Sequence, residues 1–152
     1  MKNFKFVTTF VLLFMSVFGT SMYVNTQQAK AEKVCSNRSL FGAYQTQGSG
    51  YLNGNTYALT VLSTFDGMGN ITGTILVRSL AGNVITNVPT EGTYKVNSDC
   101  SVTAILKRSD GTTANYSGVV YDNGDKYGWT QTDFNTVINL QGERVIKKGR
   151  HY

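Results

Sequence analysis

The chain has 152 residues, of which 41% are hydrophobic and 15% charged, with a formal net charge of +5. Lys2, Lys5 and Lys30 fall in an apparent leader, so the remaining chain carries +2 and is long enough for one core but too short for two ordinary domains. Arg144, Lys147, Lys148 and Arg150 crowd the C-terminus beside His151, leaving a near-neutral body without the basic, aromatic-studded face that a nucleic-acid surface requires.

The leader starts with Lys2 and Lys5 and passes into the apolar run 6–18. It then reaches Ala29-Lys30-Ala31, a small-x-small site that predicts cleavage before Glu32. A retained membrane anchor is the competing reading, but Thr, Ser and Gly interrupt the run short of the usual ~20 apolar residues. Residues 1–31 are therefore expected to be a signal peptide, 32–143 a β-barrel domain and 144–152 a basic tail. The protein is expected to be secreted or periplasmic, with no stable membrane insertion after cleavage. In an exported domain with only two cysteines, Cys35 and Cys100 are expected to join in a disulfide. They lack the CxxC spacing of a redox or metal pair.

No stretch sustains a 3.6-residue apolar period. Runs rich in Val, Ile, Thr and Tyr recur instead, about every ten to thirteen residues, between turn signals. In chain order they are 40–47, 57–65, 71–80, 92–96, 101–108, 113–121, 126–132 and 136–146. The intervening turns carry Gly48-Ser49-Gly50, Asp66-Gly67-Met68-Gly69-Asn70, Ala81-Gly82-Asn83, Asn97-Ser98-Asp99, Asp110-Gly111, Asp122-Asn123-Gly124-Asp125 and Asp133-Phe134-Asn135. Pro89 cannot donate a ladder hydrogen bond and is taken to delay the fourth strand to Gly92. Short connections make sequence neighbours antiparallel partners, and about eight such strands close into an up-and-down all-β barrel. Tyr57, Leu59, Val61 and Phe65 share one face. Ile71, Ile75 and Val77 are expected on the face away from Leu76 and Leu80. Two apolar faces call for outside cover from a short helix or a second subunit, so a homo-oligomer is among the expectations.

Four motifs in order resemble a largely uncharacterised family of small exported bacterial proteins. They are Cys35-Ser36-Asn37-x-x-Leu40-x-Gly42-x-Tyr44, Phe65-Asp66-Gly67-x-Gly69-Asn70-x-x-Gly73-Thr74, Gly92-Thr93-Tyr94-x-Val96-x-x-Asp99-Cys100 and Gln131-Thr132-Asp133. The resemblance implies an allene oxide cyclase barrel-like or calycin-like fold. It carries turn glycines, cysteines and core aromatics, and no active site.

Catalysis has little to work with. The one histidine, His151, is penultimate, which disfavours a triad, a histidine metal cage or a haem ligand. No metal and no cofactor are implied, and the turn aspartates are expected to cap backbone amides. Three candidate binding features remain. Tyr127, Trp129 and Gln131 share a strand face and form either an aromatic ligand wall with a polar tip or ordinary core. Glu143, in phase with Asn139 and Gln141, lines a cavity if inward and is solvated surface if outward, the favoured side. Glu91, beside Pro89, reads as a rim residue. The leading expectation is a non-enzymatic exported barrel that binds a small apolar or amphipathic ligand or a protein partner. The alternatives are a cyclase- or isomerase-type enzyme using the cavity, and a self-associating surface or matrix component.

Overall fold

The computed structural model describes residues 34–145. The expected cleavage site and His151 lie outside the described residues. Eight strands, β1 (Phe41–Leu52), β2 (Asn55–Asp66), β3 (Asn70–Leu80), β4 (Asn83–Val96), β5 (Ser101–Arg108), β6 (Thr113–Tyr121), β7 (Lys126–Gln131) and β8 (Thr136–Arg144), follow one another around a closed antiparallel barrel. β8 pairs back onto β1 from Tyr44↔Arg144 to Leu52↔Thr136 and so removes the free edges. Arg144, assigned from sequence to the tail, ends β8.

Three strands depart from the sequence reading, each for a local reason. β1 runs through Gly48 and Gly50 instead of turning there, because Gly48 sits against the Leu140 side chain and Gly50 against the Val137 backbone on β8, where a Cβ would not fit. β4 begins at Asn83 and passes through Pro89. It pairs with β3 along that stretch, whereas its ladder with β5 starts only at Thr90↔Arg108, so the missing N–H falls where β5 has ended. On β3 the register jumps from Val61↔Ile75 to Thr60↔Val77, leaving Leu76 as a bulge. The bulge reverses the parity expected for the end of β3. Val77 joins Leu76 on the exposed face, and Leu80 packs against the core.

Apart from the exposed start of β4, residues 83–87, the two-residue alternation holds elsewhere, and inward positions fill the barrel. Phe65 is the hub of an aromatic stack, with ring centroids 5.1 Å from Tyr44, 5.2 Å from Tyr94, 5.5 Å from Tyr127 and 5.9 Å from Trp129, all near-perpendicular edge contacts. Tyr127 and Trp129 lie 4.4 Å apart. The Tyr127 ring occupies the space above Gly142, its cross-strand partner, where a Cβ would come within 2.3 Å of ring carbons.

One end of the barrel, here the lower, is sealed by the segment before β1. Cys35 is disulfide-bonded to Cys100 ahead of β5, with Cα atoms 5.0 Å apart. A single 3-10 turn, Asn37–Ser39, then crosses the opening and delivers a fully buried Leu40. Asn37 donates from Nδ2 to the Met68 carbonyl at 3.1 Å and accepts the Val96 amide at 2.8 Å. The Tyr94 hydroxyl lies 2.9 Å from the carbonyls of both Asn37 and Leu40. Arg144 spans Gly124 and Asp125 at 2.9 and 3.0 Å while covering the Tyr44 ring.

Candidate functional site

The inward parity of β7 places Tyr127, Trp129 and Gln131 inside the barrel, all buried. Glu143 and Glu91 lie outside. β8 points Ile138, Leu140 and Gly142 inward, so Asn139, Gln141 and Glu143 form a solvated stripe; Glu143 stands opposite Gln45 and Lys126. Glu91 faces solvent beside Lys107, away from the buried Thr90. The five candidate residues therefore do not form one site. The aromatic wall is core, and the two carboxylates are outer surface on different walls.

The turn aspartates act as the sequence suggests. Asp66 Oδ1 accepts the amides of Met68, Gly69 and Asn70 at 2.7 to 2.9 Å, and the Asn70 contacts above all hold its pKa down at about 2. Bonds from the hydroxyl and amide of Ser101 lower Asp99, and those of Thr112 lower Asp110. The Asn37, Asn70 and Asn115 side chains, each in an Asn-x-Ser/Thr triplet, donate to Met68, Asp66 and Asp133 respectively. All three amides are thus engaged within the fold.

Inside, burial pushes the tyrosines up: Tyr94 and Tyr116 to about 12, Tyr127 further still although the Thr46 and Ser63 hydroxyls partly oppose it. These phenols stay neutral and serve as hydrogen-bonding groups, Tyr127 with Thr46 and Tyr44 with the Gly124 carbonyl. The remaining interior cavity, lined by Thr46, Ser63, Thr90, Arg108, Tyr116 and Trp129 among others, is about 20 Å³. Small-molecule sites are commonly about 300–1,000 Å³. The barrel is filled, with room for a few atoms.

The opposite, upper end is built differently. Three buried polar atoms there, the Tyr57 hydroxyl, Trp129 Nε1 and Gln131 Oε1, have no hydrogen-bond partner among the described residues. Around them the β7–β8 loop is fixed by Asp133. Burial raises this carboxyl, but hydrogen bonds from Asn115 and Gln131 outweigh that effect and leave it lowered. Its oxygens accept Asn115 Nδ2 at 2.7 Å, the Asn115 amide at 3.0 Å and Gln131 Nε2 at 2.7 Å. The Asn135 carbonyl accepts the Asn53 amide at 2.8 Å and ties the loop to the β1–β2 turn. On this pinned loop Phe134 is 89% exposed, and at the same end of the barrel an outward cross-strand pair, Tyr51 and Val137, is more than half exposed. Sequence reading treated Phe134 only as part of a loop, although a large aromatic in an otherwise polar Asp-x-Asn turn was a signal.

No protein-family model, curated protein or solved structure matches the chain.

Proposed function

We propose that the protein is an exported, non-enzymatic binding module that uses its filled barrel as a scaffold and engages a protein partner at the upper rim through Phe134, Tyr51 and Val137. The observation that carries this reading is Phe134: a large apolar side chain held almost fully in solvent on a loop fixed by side-chain and backbone hydrogen bonds. Such pre-organisation lowers the ordering cost of association, and aromatic anchors dominate interface energies. The basic, apolar leader and the disulfide support export to an oxidising compartment. The resemblance to small exported bacterial proteins agrees with that location and adds no activity. An apolar ligand held in the barrel, or a cyclase-type reaction there, needs more space than about 20 Å³.

A photoreactive residue placed at Phe134 in the native host tests the reading, with Thr103, exposed on β5, as the control position. A discrete adduct from position 134 and none from 103 is expected; an adduct of twice the protomer mass would identify a second copy as the partner. Equal labelling at both positions, or none, would overturn it.

A further inference from the structure

The small interior cavity is chemically one-sided. Among the residues that line it Arg108 is the only charged one, and no carboxylate is present. Arg108 shares the inward phase of Val102, Ala104 and Leu106, so its stem follows the apolar stripe of β5 and joins the cavity lining. It donates to Thr112 Oγ1 at 3.1 Å and hydrogen-bonds to the Tyr116 hydroxyl, which it thereby leaves free to donate, and its charge is felt by Asp110 and Asp133. It makes none of the ion pairs among the described residues, which are Arg78–Asp110, Lys126–Asp122 and Arg144–Asp125.

The second observation is Trp129. It is 3% exposed and lines the same cavity, yet its Nε1–H, a donor with no acceptor capacity, has no partner among the described residues. The hydroxyls of Thr90 and Tyr116, both buried, add further donors. An indole N–H left unpaired is costly, and so is a partly buried cation that feels Asp110 and Asp133 but forms an ion pair with neither. One occupant relieves both.

We infer that the cavity binds a compact monovalent anion, held by Arg108, the Trp129 N–H and the neighbouring hydroxyls. The occupant is limited to a few atoms, which admits a halide or the smallest carboxylates and excludes a fatty acid or a nucleotide. Tyr116 stays neutral far above physiological pH, so its hydroxyl remains a donor. The two other unpartnered atoms, Tyr57 Oη and Gln131 Oε1, are not among the lining groups. The inference concerns the interior and is independent of the rim.

Trp129 is the only tryptophan, so intrinsic fluorescence reads this cavity directly. The disulfide-intact mature protein is titrated with sodium chloride, bromide, formate or acetate at ionic strength held constant with gluconate, which is too large to enter. A saturable emission change is expected, with a melting temperature about 4 °C higher near ten times the apparent Kd. A response to halides alone identifies a free halide as the ligand, and a response to formate or acetate identifies carboxylate chemistry. Arg108→Gln should weaken binding at least tenfold. Lys107→Gln, the same charge change on the outer face, should leave it within twofold. Thr90→Val provides a second test if Arg108→Gln fails to fold. The inference is overturned if the salts act no differently from gluconate, if Lys107→Gln and Arg108→Gln behave alike, or if a bromide-soaked crystal shows only water in the cavity.

Discussion

The two ends of the barrel divide the work of the molecule. At the lower end the disulfide anchors the crossing segment, Tyr94 bonds to its backbone carbonyls, and Arg144 braces the β6–β7 turn beside it. At the upper end the core ends in three polar atoms and an arginine that have, among the described residues, no hydrogen-bond partner and no ion pair respectively, together with a phenylalanine presented on a hydrogen-bonded loop. A closed barrel needs no such exceptions for its own stability. Recognition is where departures from local satisfaction are expected, and here they collect at one end.

The largest test of this division is the disulfide. Replacing Cys35 and Cys100 by serine frees a 65-residue separation, and chain entropy predicts a loss of about 4 kcal/mol, measurable by urea unfolding. Gly142→Ala drives a methyl group into the Tyr127 ring and should cost about 1–3 kcal/mol. Asn37→Ala removes two hydrogen bonds that hold the lower closure and should cost about 1–2 kcal/mol. Phe134→Ser should change stability by less than about 0.5 kcal/mol while removing the rim contact, because the side chain is already in water. A lower-end substitution that proved neutral, or a rim substitution that unfolded the barrel, would break the comparison.

The pH limits follow from the same groups. Tyr94 and Tyr116 have folded pKa values raised to about 12 from 10, so their contribution is fully present below pH 10 and is lost as pH rises toward 12. Alkaline unfolding should therefore accompany tyrosinate absorbance in that window. Asp66 has the opposite sign. Its folded pKa is depressed to about 2 from 3.8, so its contribution is present above 3.8 and fades as pH falls toward 2. Asp66→Asn should flatten the acid limb of a stability profile between those values.

Much of the fold was legible because its connections are written in Gly, Asn and Asp at even spacing, and both cysteines lie beside turns. The parity at the end of β3 was not, because a bulge inserts one residue without a sequence mark and moves Val77 to the opposite face. Pro89 misled for a positional reason: its cost depends on whether a neighbouring strand reaches it, which is a fact of register. The aromatic wall was found, but whether Trp129 faced a ligand or a neighbour was set by ring packing across the barrel. Arg108 was available from sequence as a charge at the end of the Val102, Ala104, Leu106 stripe. Its significance lay in the absence of a carboxylate from the cavity it lines, which only the folded neighbourhood reveals.

The central claim is that the interior is filled and that binding of a partner occurs outside it. Native mass spectrometry of the mature protein, isolated from its own envelope or medium and compared before and after denaturation, tests this most directly. The account predicts an oxidised chain with no organic molecule released on unfolding, at most a simple anion. Release of an apolar molecule of several hundred daltons would contradict it and would return the function to the barrel interior.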